Sequence, residues 1–407
     1  MLSDPIHIGI CGGAIGDRNR LTLAITRSLV GAGLTMARAD KLAPVQVGYV
    51  PSPEPAAPGS LQDVAEWQIA SWSAREIAAG RHSQVVLSIT TPYESIARRS
   101  VHSSNPSESE NAEMMQLLVE IATLHDRYDV LLVLATDPAE LVADSQTRLR
   151  VQSDRRLREL LIRAAVSHVL VEPGAEREAI AMAVAVAAGE APRRVSPADG
   201  GPTSPASNAT GEPNSVPCVG LAGAPTQEKY ALVADLQTQL RDVGVTICRT
   251  PTVLDRVRAL GLQPLAPRSI EWIITAGVAS ELALMYRKAT TPLLHPIVLT
   301  TQTSYDALAR YITHIQRMKA DVPAHQLNRL VQLARIHDRY DLLLATQGYE
   351  PSRPTPSDLT IPVRDSTLRR LLKAEQVDHQ VVPFGDAVYA LKGVFAEVER
   401  LSPHGAV

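Results

Sequence analysis

The chain has 407 residues, of which 45% are hydrophobic and 20% are charged, a balance typical of globular proteins. Its formal net charge of −3 lacks the basic excess that binding to nucleic-acid phosphates requires, so composition gives no support for a nucleic-acid partner. The sequence shows no apolar run long enough to cross a bilayer and no signal-peptide pattern at its start, which predicts a cytoplasmic protein with no membrane partner. The three cysteines match no metal-ligand spacing, and we expect no metal site.

The chain contains one sequence pattern twice. The pentapeptide His-Asp-Arg-Tyr-Asp at residues 125–129 recurs unchanged at residues 337–341, 212 residues later. The motif Gly9-x-x-Gly12 returns as Gly220-x-x-Gly223. This period is far too long for a solenoid, so each copy should fold around its own core.

The stretch between the copies is rich in Pro, Gly and Ser and contains few large apolar groups. Such a segment buries too little surface to offset the entropy lost on ordering, which predicts a flexible linker over residues 190–216. The predicted domains are therefore residues 1–189, the first copy, and residues 217–407, the second and more degenerate copy.

Short apolar runs alternate with longer segments of helical period in both copies. In chain order, the first copy has predicted strands at 6–11, 84–91, 130–136 and 168–172 and a first helix at 18–30. The second has strands at 217–222, 296–301, 341–346 and 380–383 and a first helix at 228–240. Continuous apolar strands separated by helices predict parallel sheets covered on both faces. With right-handed crossovers, the fold class is α/β, with two tandem doubly wound parallel-sheet domains of three layers, α/β/α.

A glycine-led turn follows the first strand of each copy, where such folds hold phosphates. The strand, turn and helix resemble a P-loop, in which glycines let backbone N–H groups surround the phosphates and a lysine reaches the β/γ oxygens. The predicted nucleotide-binding residues of these turns are Gly12, Gly13, Gly16 and Arg18 in the first copy and Gly223 and Lys229 in the second.

Both turns depart from the P-loop pattern. In the first copy Asp17, Arg18 and Asn19 replace the second glycine, the lysine and the hydroxyl residue; in the second, Glu228 and Tyr230 replace the glycine and the hydroxyl residue. A carboxylate at the start of the helix would repel phosphate, which predicts weak triphosphate binding. Alternatively, Asp17 and Glu228 are first-turn acids that interact favourably with the helix dipole.

The order of elements resembles that of P-loop kinases of the ribosylnicotinamide-kinase type found in NAD biosynthesis. The resemblance is carried by the glycine-led turn, a helix with Glu66 and Glu76, a buried strand ending at Thr90-Thr91 and a later arginine-bearing segment. It implies a P-loop NTPase-like fold, ATP as the candidate cofactor, and a lid at residues 147–156 whose arginines reach phosphate. The lid candidates are Arg148, Arg150 and Arg155. The alternative is that these arginines form the exposed face of an amphipathic helix whose leucines turn inward.

The third strand of each copy lacks the terminal carboxylate that such kinases use for magnesium or for the acceptor proton, so magnesium binding is not supported. Glu94 and Asp306 follow a few residues later and are predicted to be helix-start acids rather than catalytic bases. The pentapeptide at 125–129 lies where a helix ends and a strand begins, at the edge of the sheet opposite the expected ligand edge. This position predicts a structural role, in which Tyr128 packs in the interior, and not a catalytic one.

Glu66 and Glu76 are ten residues apart on one predicted helix, and Glu271 and Glu281 repeat that spacing. Ten residues is close to three turns, so each pair shares a face, which could line an acceptor site or be solvated. Trp67 and Trp272, next to the first glutamate of each pair, are predicted to pack in a core or between the copies.

Two functions follow as hypotheses. The first is a nucleotide-sensing or scaffold protein, pseudokinase-like and regulatory, whose phosphoryl-transfer motifs have decayed and whose partner is another protein or a second copy of itself. The second is an active ATP-dependent kinase or NTPase that acts on a nucleoside-like small molecule through Arg18 and the arginine segment of the first copy.

Overall fold

The computed structural model describes residues 5–41, 61–80, 83–102, 108–136, 145–194, 216–224, 226–250, 253, 257, 260, 262–263, 265–289, 296–338, 340–346, 361–383 and 386–401. These residues form two compact units, one for each sequence copy. Within the described ranges, no helix has the length and hydrophobicity needed to cross a membrane.

The first unit is one parallel sheet of five strands with helices between them. Its elements are β1 Ile6–Gly12, α1 Ile15–Gly31, β2 Met36–Arg38, a 3₁₀ turn Ala39–Lys41, α2 Leu61–Ala79, β3 Val85–Ser88, α3 Pro92–His102, α4 Glu108–His125, β4 Val130–Leu134, α5 Ser145–Arg163, β5 Val169–Val171 and α6 Glu176–Ala188. The strand order is β2-β3-β1-β4-β5, and every pair is parallel.

The second unit repeats this plan. Its elements are β6 Cys218–Ala222, α7 Gln227–Asp242, β7 Thr246–Arg249, α8 Pro267–Ala289, β8 Pro296–Thr300, α9 Ser304–Met318, α10 Ala324–Ile336, β9 Leu342–Thr346, α11 Ile361–Ala374, β10 Gln380–Val382 and α12 Ala387–Leu401. Read from the other edge, the order β7-β8-β6-β9-β10 is that of the first sheet, again with parallel pairs only. The predicted fold class is confirmed.

Each sheet is built outward from its first strand. All seven residues of β1 are buried, and its neighbours β3 and β4 lie on opposite sides of it. The strand order therefore reverses beside β1, and the turn that follows β1 lies where doubly wound sheets bind their ligands. On one face Leu21, Ile25 and Leu29 of α1, spaced by four residues, pack onto β1 as part of the core.

One short edge strand in each unit, β2 and β7, was not predicted from the sequence. The residues of β2 are all half-buried and β7 has one fully buried residue, so neither edge strand has the continuous apolar run by which the inner strands were predicted. The predicted strand 84–91 is shorter, ending at Ser88, because the chain turns there toward α3.

The repeated pentapeptide bonds neighbouring helices and the first strand at the end of each sheet where the strands begin. Asp126 accepts a hydrogen bond from the hydroxyl of Tyr93 at 2.8 Å, and Tyr128 donates its own hydroxyl to Glu76 at 2.6 Å. In the second unit the hydroxyl of Tyr305 donates to Asp338 at 2.8 Å, and the hydroxyl of Tyr340 donates to Glu281 at 3.0 Å. The last aspartate of each pentapeptide accepts a backbone N–H of the first strand at 2.8 Å. These contacts confirm the structural role.

The strand glycines of the two motifs make room for the tyrosine of the pentapeptide. A Cβ at Gly9 would lie 2.8 Å from Cδ1 of Tyr128, and one at Gly220 would lie 2.9 Å from Cδ1 of Tyr340. Real Cβ atoms do not approach that closely, so only glycine lets the ring pack against the strand.

The start of the predicted linker is attached to the first unit. The backbone N–H of Arg194 donates to the carbonyl of Asp129 at 2.9 Å, its Nε donates to the carbonyl of Tyr128 at 2.9 Å, and its guanidinium pairs with Asp126. The ordered chain of the first unit thus extends past the predicted boundary at residue 189. Residues 195–215 of the predicted linker lie outside the described residues.

We predict that Gly220→Ala destabilises the chain by about 1–3 kcal/mol, because the added methyl group overlaps Tyr340 and Leu343. Gly277→Ala is the matched control: Gly277 lies within α8 with no atom within 4 Å of an added Cβ, so that alanine should stabilise by about 0.5–1 kcal/mol. Urea titrations followed by circular dichroism measure both. Equal stabilities for the two variants would contradict the close packing of strand and ring.

Candidate functional site

The turn after β1, which was predicted to bind phosphate, is built on two adjacent glycines. Gly12 and Gly13 have φ values of +73° and +62°, a backbone conformation that favours glycine. A Cβ at Gly12 would lie 2.7 Å from the carbonyl oxygen of Leu134 on the neighbouring strand. Gly223 occupies the matching place after β6, also with a positive φ of +131°. The structure thus puts three of the predicted glycines at the ligand edge of their sheets.

A carboxylate from the same unit bonds the backbone of each loop. The N–H of Gly13 donates to Oδ2 of Asp154 at 3.1 Å, and that buried aspartate of α5 also accepts the hydroxyl of Thr136. The N–H of Ala224 donates to Oδ1 of Asp365 on α11, likewise at 3.1 Å. Both units therefore satisfy, with an internal anion, an N–H of the kind that a P-loop offers to phosphate.

The cation of the first loop is buried and paired with a carboxylate. Arg18 is 1% exposed, and its NH1 nitrogen lies 2.6 and 2.7 Å from the two carboxylate oxygens of Glu94 and 2.9 Å from the carbonyl oxygen of Ile89. Glu94 also accepts a hydrogen bond from Arg98 at 2.6 Å. Short charge-assisted bonds of this kind in a dry site are strong, so the pair holds α1 and α3 together.

The second unit builds the same arrangement with a lysine. Nζ of Lys229 donates to the carbonyl of Gly223 at 2.9 Å and lies 3.5 Å from Oδ2 of Asp306. Oδ1 of Asp306 accepts the N–H of Gly223 at 2.8 Å, and Asp306 completes a capping box with Thr303 at the start of α9. One carboxylate thus caps a helix, bonds the loop and neutralises the cation.

Burial controls the charges of this cluster. Burial lowers the pKa of Lys229, an effect that Asp306 opposes. Burial raises the pKa of Asp365, while its hydrogen bond from Ala224 and the nearby charge of Arg364 oppose that rise. Burial also raises the pKa of the Cys11 thiol beside the first loop, which disfavours the reactive thiolate.

The predicted arginine lid divides into exposed and structural positions. Arg148 is exposed, Arg150 is half-buried, and Arg155 pairs with Glu159 one turn along at 3.1 Å with 84% of its side chain exposed. Leu157, Leu160 and Leu161 of α5 are all buried, as the amphipathic-helix alternative expects, and the lid role of the arginines stays a prediction. The residue of α5 that reaches the loop is Asp154, which the sequence analysis did not identify.

The acids next to the loop cation are not the ones that the sequence analysis weighed as blocking phosphate. Asp17 lies in the first turn of α1 and pairs with the exposed Arg20, as expected of a helix-start acid. The side chain of Glu228 is outside the described residues. Glu94 is in the first turn of α3, as predicted, but its side chain also reaches Arg18. Gly16 lies in the first turn of α1, with no atom within 4 Å of an added Cβ.

The glutamates of α2 and α8 are buried, so the solvated-face interpretation is wrong. Glu66 and Glu76 are each 1% exposed, and Glu271 and Glu281 are 6% and 4% exposed. Glu76 and Glu281 bond the pentapeptide tyrosines, and Glu271 pairs with Arg329 at 2.8 Å. Trp67 and Trp272 are buried beside them, in agreement with a core role. Among the described residues, no group of three or more His, Cys, Asp or Glu side chains could hold a metal ion.

Comparison with known proteins identifies no family. No family model matches the chain, and no curated protein matches it. Among solved structures, NadR protein in complex with NR is 12% identical with a TM-score of 0.33, covering 97% of this chain and 98% of its own. NadR protein in complex with NAD and AMP-PNP is 12% identical with a TM-score of 0.34, and the alignment covers 100% of this chain and 99% of that chain. A putative polyphosphate kinase 2 from Pseudomonas aeruginosa PA01 is 11% identical with a TM-score of 0.48, and the alignment covers 98% of this chain and 91% of that chain. Likeness at this level carries no conclusion about activity.

We predict that Glu94→Gln lowers the free energy of unfolding by about 3–5 kcal/mol, because Arg18 would keep its charge in a dry site without a counter-charge. The double variant Arg18→Met, Glu94→Leu removes both charges and should recover most of that loss. Asp17→Asn removes an acid from a surface pair of the same helix and should cost under about 1 kcal/mol. Urea titrations measure the free energy of unfolding of each variant. If Glu94→Gln loses no more than Asp17→Asn, the buried pair does not have this stabilising role.

Asp365→Asn tests the loop carboxylate through pH. Because burial raises the pKa of Asp365 above its ordinary 3.8, its contribution to stability is present below that pH and is lost as the pH rises through the raised pKa. Asparagine keeps an oxygen for the Ala224 N–H but carries no charge. We therefore expect the variant to be more stable than the parent at about pH 7 and to lose that advantage as the medium becomes more acidic.

Urea titrations over a pH series measure this difference. Asp235→Asn, on the exposed face of α7, removes one negative charge outside the loop and controls for net charge. A stability difference between Asp365→Asn and the parent that grows toward acid pH would contradict the assignment.

Proposed function

We propose that this chain is a non-catalytic scaffold protein, built from two P-loop-like units whose anion-binding loops are filled by their own carboxylates. The observation that carries the proposal is the agreement between the copies. In each, a backbone N–H of the loop is bonded to an aspartate of the helix after the fourth strand, and the cation of the loop is paired with the acid that begins another helix.

Binding a triphosphate in either loop would require these internal bonds to be broken. Asp154 would have to leave Gly13, and Glu94 would have to share Arg18 with the incoming phosphates. Two carboxylates near a triphosphate in a poorly hydrated site repel it by several kcal/mol, an amount comparable to the affinity that a nucleotide gains there. The internal bonds therefore support the scaffold branch of the first hypothesis over the nucleotide-sensing branch.

Phosphoryl transfer depends on positioning and on neutralisation of the transferred group by cations. In the second unit Lys229 is neutralised by Asp306 and held to the carbonyl of Gly223. In the first unit Arg18 is fixed by three acceptor oxygens, and Arg155 of the arginine segment lies outward. An active kinase that works through the first copy would need the bonds of Arg18 with Glu94 and of Gly13 with Asp154 to break before its substrates bind, so we place that function second.

Equilibrium titration with a fluorescent ATP analogue and magnesium tests the proposal on the full chain. We expect no saturable binding below millimolar nucleotide, and no rise in melting temperature. A ligand present at a hundredfold its Kd would add about 2.7 kcal/mol of stability, which thermal unfolding resolves readily.

Two variants make a negative result informative. Asp154→Asn keeps an acceptor for Gly13 while removing a charge, and the expected result is a gain in nucleotide affinity relative to the parent. Asp17→Asn removes a charge from the surface of α1 and should leave affinity unchanged. Micromolar binding by the parent chain, weakened when Arg18 is replaced by lysine, would overturn the scaffold assignment in favour of the kinase.

A further inference from the structure

Arg75 of α2 is a buried cation that the loop chemistry does not use. It is 7% exposed, and its Nε is buried without a hydrogen-bond partner. Its guanidinium lies over the ring of Trp72, with Cζ 5.0 Å from the ring centroid. Burial lowers the pKa of Arg75, and the charge of Asp40 opposes that shift.

The acid whose charge acts on Arg75, Asp40, is paired with another arginine. The carboxylate of Asp40 accepts two hydrogen bonds from Arg38, at 3.0 and 2.6 Å, and forms no ion pair with Arg75. A guanidinium that is withdrawn from water and given no acceptor is destabilising, and such groups are normally paired in folded proteins. The other buried arginine of the unit, Arg18, also has an unpartnered Nε, but its NH1 nitrogen bonds Glu94 and the carbonyl of Ile89, whereas no hydrogen bond or ion pair of Arg75 is found among the described residues.

The second unit forms the same fold with no arginine at the corresponding position. The helices α2 and α8 align through Glu66 and Glu271, and through Glu76 and Glu281, at a shift of 205 residues. That alignment puts Gly277 and Ser280 at the positions of Trp72 and Arg75, and the hydroxyl of Ser280 bonds the carbonyl of Ala276 within its own helix at 2.7 Å.

The tyrosine–carboxylate bonds recur in both units, whereas the tryptophan–arginine pair occurs only in the first. A cation retained in one copy at a cost in stability indicates a role in recognition. The pair lies beside the edge strand β2, because Ala79, one turn along α2, packs with Ala39 of the 3₁₀ turn that follows β2.

We propose that Arg75 and Trp72 form a binding site for a small molecule bearing an oxyanion, a carboxylate or a phosphate monoester. The indole covers one face of the guanidinium, so acceptors must approach in the guanidinium plane, where two parallel N–H groups match the two oxygens of such an anion. The half-buried indole fixes the arginine in place and offers apolar surface to the rest of the ligand.

The test uses the full chain in chloride buffer with inorganic phosphate, phenyl phosphate and benzoate as separate probes. Trp72 is one of three tryptophans, and the other two, Trp67 and Trp272, are buried, so its fluorescence reports on the site. We expect a saturable fluorescence change and a rise in melting temperature with at least one organic probe. Phenyl phosphate acting alone would identify a phosphate ester as the ligand, and benzoate acting alone a carboxylate.

Three variants fix the interpretation. Arg75→Met should weaken binding by about tenfold or more, because it removes the charge-assisted bonds. It should also melt no lower than the parent in anion-free buffer, because it removes an uncompensated charge. Trp72→Phe should lose the fluorescence change but keep part of the thermal shift. Arg177→Met, at an exposed position of α6, removes the same charge and should bind like the parent.

Each contrary result overturns the proposal. The absence of any response at millimolar probe would do so, as would a response unchanged in Arg75→Met, which would place binding elsewhere. A lower melting temperature for Arg75→Met without added anion would show that the chain itself supplies the acceptor.

Discussion

The fold depends most on a buried cation paired with a buried carboxylate at the switch point of each sheet. Arg18 with Glu94, and Lys229 with Asp306, join the helix after the first strand to the helix after the third, directly under the glycine turn. Two such charges are costly to bury, and further bonds to the backbone offset part of that cost. Arg18 bonds the carbonyl of Ile89 in the first unit, and both Lys229 and Asp306 bond the backbone of Gly223 in the second. The same residues that a nucleotide-binding protein would direct at its ligand here hold the protein together.

A second carboxylate system at the opposite edge explains why the pentapeptide is identical in both copies. Each of its aspartates and its tyrosine bonds a different element, so one short segment fixes α2, α3 and the first strand in the first unit. Burial raises the pKa of Asp126, Asp338 and Glu76, and the hydrogen bonds they receive oppose that rise. At both ends of the strands, buried polar groups therefore bond one another. Arg75 is a buried cation for which the described residues provide no carboxylate partner.

The sequence predicted the architecture well because inner parallel strands are continuous apolar runs and because the repeat allowed each element to be checked against its counterpart. It missed β2 and β7, whose half-exposed residues carry no such pattern. At the site, the glycine turns and the two cations were predicted by their local motif, but Asp154 and Asp365 were not. These aspartates are 141 residues from the backbone groups they bond, and nothing in the local sequence of α5 or α11 shows that one aspartate among many charged residues turns inward. The burial of Glu76 was missed for the same reason, since its partner Tyr128 is distant in sequence.

The central claim, that the loops are filled by their own carboxylates, is tested most directly by NMR of the loop amides in protein labelled with ¹⁵N-glycine. The chain has 23 glycines, so the resonances of Gly13 and Gly223 can be assigned by substitution. The account predicts that the Gly13 amide shifts when Asp154 is replaced by asparagine and stays unchanged when millimolar ATP and magnesium are added. A Gly13 or Gly223 amide that moves with nucleotide in the parent protein, while Gly13 ignores the Asp154 substitution, would contradict it.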